Sequence, residues 1–318
     1  MLKRLLQSEY LILALCVVYF ASMAPFAEGF ASGENLGNIL SAMLPLLVVA
    51  TGQTLVLITA GIDLSVTSVI ALASVTGAMV INGDNGALAG SGFATPAGIF
   101  IMLAIGGAIG LLNGIIITGF RMPPFIVTLT GMMFFSGFAI WLTKSKSIYN
   151  LPPSFLALGK HTWLAGATAL LVAVTGHLLL TRTLLGRWLY AVGHNPKTAL
   201  ISGVPVNRVL ILSYVACGLC AGVAAVLITG RLETGSPVHW RSSLLDIIGA
   251  TVIGGTSLHG GRGKLLWTVF GVLFLTLIDN SLNLLSLSHF STMMVKGGVI
   301  LAAALLDSAR RRLMGGVG

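Results

Sequence analysis

The chain of 318 residues carries 18 Lys+Arg and 9 Asp+Glu, so 8% of it is charged, where an ordinary soluble domain carries about 25%. With 56% hydrophobic residues and a mean hydropathy of +0.97, it has too little polar surface to coat a globule, and lipid must solvate much of it. The net charge of +9 would point to nucleic acid in a soluble protein, but its distribution removes that reading and follows the rule that cytoplasmic loops of membrane proteins collect Lys and Arg.

A helix needs about 20 residues to cross about 30 Å of hydrocarbon. In chain order, ten apolar segments approach that length: Tyr10 to Ala27, Leu36 to Ala60, Val66 to Asn82, Pro96 to Phe120, Pro124 to Thr143, Thr162 to Thr181, Val209 to Gly230, Leu244 to Leu258, Leu265 to Leu285 and Phe290 to Leu306. The first follows Lys3 and Arg4 and has the layout of a signal peptide. A retained anchor is expected, since its removal would leave nine spans and no cleavage site is clear. The eighth is short, and Gly254, Gly255, Gly260, Gly261 and Gly263 after it cannot sustain a lipid-facing helix, so a re-entrant or broken helix is expected there.

With both termini cytoplasmic, the inner loops hold Lys3, Arg4, Arg121, Arg182, Arg187, Lys197, Arg208, Arg262, Lys264 and Arg310 to Arg312. The outer side holds Lys144, Lys146, Lys160, Arg231 and Arg241, and Lys296 lies within a span. Five spans on either side of the 144 to 161 loop predict two halves of opposite orientation, a recurring transporter plan. Sequence similarity between the halves is weak: Gly61-Ile-Asp-Leu64 and Gly255-Thr-Ser-Leu258 both follow an outside-to-inside run, and nothing else aligns.

Ionisable residues at membrane depth are functional candidates by default. Asp63, at the inner end of the second span, is expected to be solvated or to cap a helix. Asp279, near Asn280, and Lys296 fall at similar depth if the last two spans are antiparallel, and are expected to neutralise one another; the alternative is Lys296 reaching the outer interface. Gly106, Gly110 and Gly114, and Gly218 with Gly222, make small-x-x-x-small steps for close helix packing, within the subunit or across a dimer. Asn113 is expected to hydrogen-bond to a neighbouring helix. Cys16, Cys217 and Cys220 fall in apolar runs and read as packing residues. The six histidines lack metal-ligand spacing, and no catalytic constellation or phosphate-binding G-x-x-x-x-G-K-[ST] is present, since Leu occupies both 258 and 265.

The inner loop from Arg182 to Arg208 is not linker-like. Leu189, Val192, Ala199, Leu200 and Val204 alternate with basic residues, Gly193, Asn195 and Pro196 mark a turn, and Thr198 to Ser202 can form a short amphipathic helix before Gly203. Such a helix either rests on headgroups or inserts into a groove of a soluble partner.

Three stretches then carry a resemblance: GRWLYAVGHNPKTALISGV from Gly186, GIDLSV from Gly61 and IGATVIGGTSLHGGRG from Ile248. They resemble motifs of the ribose-type permeases of ABC importers and occur along the chain in the family's order, with Thr67 and Thr198 departing from the family's usual Gly and Ala. The resemblance covers essentially the whole chain. It implies an all-α polytopic permease fold forming a single domain, 1–318, that hydrolyses nothing and binds no cofactor. ATP and Mg would be used by a cytoplasmic ATPase subunit meeting the 182–208 coupling loop through Gly186, Arg187, Tyr190, Gly193, Asn195, Ala199, Ser202 and Gly203. The implied partners are a periplasmic sugar-binding protein docking on the loops around 83 to 95, 144 to 161 and 231 to 243, a second permease subunit, the lipid bilayer and no nucleic acid. The implied location is the bacterial inner membrane. Asp63, Asn113, Gly254, Gly255, Gly260, Gly261, Asp279, Asn280 and Lys296 are the gate or pathway candidates. Gly255 to Gly263 has an alternative reading as an anion-binding nest. Branched-chain amino-acid or nucleoside importer permeases, and more remotely an ion-driven secondary transporter, are the alternatives to a monosaccharide importer.

Overall fold

A computed structural model of the chain describes residues 10–238 and 240–314, with side chains as far as Leu305. Lys3, Arg4 and His239 lie outside the described residues, as do the side chains of Arg310, Arg311 and Arg312. The described residues form helices joined by turns, with one isolated bridge between Ile148 and Gly235.

In order, the helices are α1 (Leu11–Met23), α2 (Gly33–Ile58), α3 (Val66–Ile81), α4 (Ala94–Gly119), α5 (Pro124–Thr143), α6 (Pro153–Lys160) and α7 (Thr162–Arg182). They are followed by α8 (Leu184–His194), α9 (Pro196–Ile201), α10 (Val206–Leu232), α11 (Leu244–Ile253), α12 (Leu265–Leu284) and α13 (His289–Met314). Their starts follow local chemistry. Ser32 caps α2 by accepting the Asn35 N–H at 3.2 Å, with Glu34 in the positively polarised first turn. Pro124 and Pro153 open α5 and α6 at positions where a missing N–H costs nothing.

Every predicted apolar segment contains a helix. Six of them, α2, α4, α5, α7, α10 and α12, are long and apolar enough to cross a membrane, while α1, α3 and the His289–Leu305 part of α13 are shorter apolar helices. The eighth segment is cut short, as its glycines predicted. Helix α11 has 10 residues, about 15 Å at 1.5 Å per residue, and it ends where Gly254 leads into Gly255 at φ +85°.

The glycine steps decide how the centre packs. A Cβ on Gly106 would strike the Gly218 carbonyl, one on Gly110 the Tyr214 carbonyl, and one on Gly114 would lie 2.8 Å from the Ile211 Cα. The reciprocal positions agree, since a Cβ on Gly222 would lie 2.7 Å from the Met102 carbonyl oxygen. These glycines therefore join α4 to α10 inside one subunit, backbone against backbone. Helix α2 packs on α10 beside this pair, and it is buried from Met43 to its last residue, Ile58.

Candidate functional site

The loop from Arg182 to Arg208 folds as two helices. Thr183 accepts the Gly186 N–H at 3.1 Å and starts α8, a helix that the turn-like Gly193 hid in the sequence. Asn195 then accepts the N–H groups of Lys197 and Thr198 at 3.0 and 3.1 Å and starts α9, with Pro196 in its first turn. The short helix thus begins at Pro196 rather than Thr198 and ends one residue before Ser202. Gly203, at φ +83°, turns the chain back so that Val204 N–H reaches the Ala199 carbonyl at 3.0 Å.

This hairpin has an inner and an outer face. Leu189, Val192, Ala199 and Val204 are buried in one cluster with Leu55 and Ile58 of α2, Leu180 of α7, Val209 of α10 and Leu265 of α12. Leu200 and Ile201 point outward and are 64% and 87% exposed, and Arg187, Lys197, Thr198, Ser202 and Arg208 are exposed as well. These two are the most exposed apolar residues of the loop, with Leu184 half exposed, whereas Leu189, Val192, Ala199 and Val204 hold it to the membrane helices.

The three motif stretches meet beneath α8. Gly193 belongs to the last turn of α8 rather than to a turn, and a Cβ there would strike the Ile58 carbonyl. The same carbonyl accepts the Gly261 N–H at 2.8 Å, which satisfies an open acceptor at the end of α2. Tyr190 donates its hydroxyl to the Gly263 carbonyl at 2.7 Å, and burial pushes this phenol above its usual pKa of 10.0. Gly260, at φ +80°, lies so close to Ala60 that a Cβ would come within 2.6 Å of the Ala60 nitrogen. Ala60 itself is held at φ 62°, a left-handed conformation costing a non-glycine residue about 1–2 kcal/mol. Gly254 packs on α12, where a Cβ would lie 2.7 Å from the Thr268 Cα. The nest reading of this glycine run does not fit, because the N–H groups of Gly255, Thr256, Ser257, Gly260 and Gly261 all donate to chain carbonyls.

Asp63 is buried at 1% exposure rather than solvated, and it binds the residue that precedes α3 instead of capping the free N–H groups of that helix. Its Oδ1 accepts from the Ser65 N–H at 2.9 Å and the Ser65 hydroxyl at 2.6 Å, at the start of α3. Asn113 of α4 donates to the same Ser65 Oγ at 2.9 Å, the bond to a neighbouring helix that its sequence position predicts. No cation lies within ion-pair distance of Asp63 among the described residues. Asn113 also edges a mainly apolar cavity of about 270 Å³ between α4 and α5.

At the opposite end of the helices, the three loops predicted to be external join into one rim. Gly83 N–H donates to the Asn150 carbonyl at 2.8 Å, and Asn150 Nδ2 to Asp84 at 2.6 Å. Ile148 and Gly235 exchange N–H···O bonds of 2.8 and 3.0 Å, and Lys160 pairs with Glu233 at 2.9 Å. Lys296 and Asp279 form the expected pair at 3.0 Å, but the sequence reading missed Asp246 of α11, which lies 2.9 Å from the same Nζ and is the more buried carboxylate. Asp246 carries no periodic or motif signal. Its only sequence cue is a lone charge opening an apolar run. Asn280 is otherwise engaged, exchanging two side-chain amide hydrogen bonds of 2.8 and 2.9 Å with Asn35. Cys16, Cys217 and Cys220 are free thiols, buried or partly so, as expected of packing residues.

A family model described as "Branched-chain amino acid transport system / permease component" matches residues 35–304. The chain belongs to this permease family, among its ribose-type ABC members. It is 34% identical over 321 residues to the ribose import permease protein RbsC of Escherichia coli (strain K12), covering 97% of this chain and 96% of the relative. The ribose import permease protein RbsC of Bacillus subtilis (strain 168) is 38% identical over 285 residues, covering 87% of this chain and 86% of the relative. The L-arabinose transport system permease protein AraH of Escherichia coli (strain K12) is 35% identical over 312 residues, covering 96% of this chain and 92% of the relative. No solved structure matches the chain. The permease is thus a multi-pass membrane subunit of a transport system and not an enzyme.

Proposed function

We propose that this permease carries a monosaccharide across the bacterial inner membrane as part of an ATP-driven importer, with the α8–α9 hairpin as its contact with a cytoplasmic ATPase subunit. The observation that carries the reading is the near full-length identity to sugar import permeases. The geometry supports it with a rigid hairpin bearing an outward apolar tip. On this reading both termini are cytoplasmic, and the 182–208 region is the coupling loop. ATP and Mg bound by the partner chain change the shape of the groove that Leu200 and Ile201 enter. Because α8 is fastened by backbone contacts to the end of α2 and to the Gly260–Gly263 loop, a push on the tip reaches the transmembrane helices directly. Only different contacts in the two ATPase states can drive such a switch.

The opposite rim, formed by the 83–95, 144–161 and 231–243 loops, would receive a sugar-loaded periplasmic binding protein, and a second permease subunit, identical or homologous, would complete the pathway. Sugar relatives favour a monosaccharide over an amino acid or nucleoside, and the hairpin is unexplained by an ion-driven carrier. Uptake of radiolabelled D-ribose and L-arabinose into cells expressing the permease with its neighbouring transport subunits tests the reading. Uptake of one sugar that stops when ATP is depleted supports it. Uptake that persists on an ion gradient without ATP overturns it.

A further inference from the structure

Two carboxylates, one ammonium and an aromatic ring surround a cavity of about 180 Å³ at the rim end of α11, α12 and α13. Trp240, Ser243, Asp246, Thr276, Asp279 and Lys296 supply its polar and aromatic lining, and apolar residues of α2 and α12 complete it. Lys296 uses N–H groups on Asp246 at 2.9 Å and on Asp279 at 3.0 Å, and its side chain is 14% exposed. Asp279 keeps 46% of its side chain exposed. Trp240 is held at φ 62°, a conformation that survives in a bulky residue only when its surroundings over-determine it and that clusters at binding sites. A partly buried ion triad in an apolar setting is poor at stabilising a fold, since well-packed apolar residues do as well or better. Its presence beside the apolar ends of these helices therefore asks for a use.

The geometry points to a neutral polyhydroxyl subsite in this cavity, a place where a monosaccharide rests after entering from the rim. An ammonium has three N–H donors, so Lys296 retains one for a ligand oxygen after bonding both aspartates. Asp279, half open, accepts hydrogen bonds from hydroxyls. Ser243 and Thr276 add hydroxyls, and the Trp240 ring offers an apolar face to the C–H face of a sugar. A ligand that both donates and accepts matches this mixture. A metal cation does not, because Lys296 Nζ already occupies the point between the two carboxylates, and an anion does not, because the carboxylates outnumber the ammonium.

The subsite rests on the sugar-importer reading, and the experiment separates the two. Ser243→Cys in the full-length permease, expressed with its transport partners in membrane vesicles, is labelled with a small maleimide with and without millimolar D-ribose or L-arabinose. Wild-type permease, whose cysteines are buried or partly so, supplies the background. The transported sugar should slow labelling at least threefold without the binding protein present, and added Asp279→Leu should abolish that protection. In parallel, the same sugar should change the tryptophan emission of purified wild-type permease but not of Trp240→Phe, which keeps the measurement informative if the cysteine variant folds poorly. Uptake of a sugar by the wild type with neither protection nor emission change overturns the subsite and leaves the importer reading standing. Protection by sodium or choline chloride instead of sugar overturns it in favour of a cation site. Uptake that persists without ATP overturns the importer reading and the subsite with it.

Discussion

The Tyr190 hydroxyl donates to the Gly263 carbonyl at 2.7 Å and so fastens α8 to the glycine loop that follows α11. One neutral hydrogen bond contributes about 1 kcal/mol net, and Tyr190→Phe removes it without changing the ring's packing. Thermal stability of the purified permease should fall slightly, while the ratio of sugar transported to ATP hydrolysed should fall several-fold. An unchanged ratio would separate this bond from coupling. Burial raises the Tyr190 pKa, so its contribution is complete below the unfolded value near 10 and is lost only as pH rises through the higher folded value. Coupling by this route should therefore be flat from pH 6 to 9.

Leu200→Asp and Ile201→Asp place a charge where the wild type exposes apolar surface. Each should abolish uptake at normal membrane levels, because a charge cannot enter an apolar groove without a partner. The corresponding change at Ala199, one of the residues that the resemblance implies meet the ATPase, instead puts a carboxylate into the cluster around Ile58 and Val192 and should lower expression or stability. Wild-type uptake by both tip variants would remove the hairpin from the ATPase interface.

Gly193→Ala should be severe although it adds one methyl group. The new Cβ meets the Ile58 carbonyl, a backbone atom already bound to Gly261 N–H, and nothing flexible can yield. Gly37→Ala, on a helix with open space around the site, should be neutral or gain up to about 1 kcal/mol. Comparing the melting temperatures and uptake of the two variants checks this contrast.

Lys296→Met leaves two carboxylates facing each other without their shared cation. Breaking a buried pair in this way costs up to about 3–5 kcal/mol, and less here because Asp279 is half exposed. Adding Asp246→Asn should restore more stability in a detergent melt than adding Asp279→Asn, since Asp246 is the more buried partner. Equal rescue by the two, or none, would contradict the triad as the cause.

Much of this was legible in the chain. An 8% charge content and apolar runs near bilayer length dictate a polytopic helical protein, because no other solvent than lipid tolerates that surface. The glycines after Ile253 announce a broken helix, since residues that lack a Cβ and sit at positive φ cannot continue one. Asn195-Pro196 announces α9 through its cap and first turn. Even the Asp279–Lys296 pair follows from antiparallel spans, because two spans fix relative depth.

What periodicity does not carry is which backbones touch. Gly193 looks like a turn residue in sequence and becomes a helix-packing contact only when α2 and the Gly260–Gly263 loop arrive from elsewhere. Asp246 becomes the main partner of Lys296 only because α11 is short enough to bring its first turn to the rim, and the outward direction of Leu200 and Ile201 depends on Ala199 being taken into the core. Local composition sets the solvent and the helices. Close contact between segments far apart in the chain depends on the whole bundle, and here that contact alone decided which residues hold the hairpin and which are left for a partner.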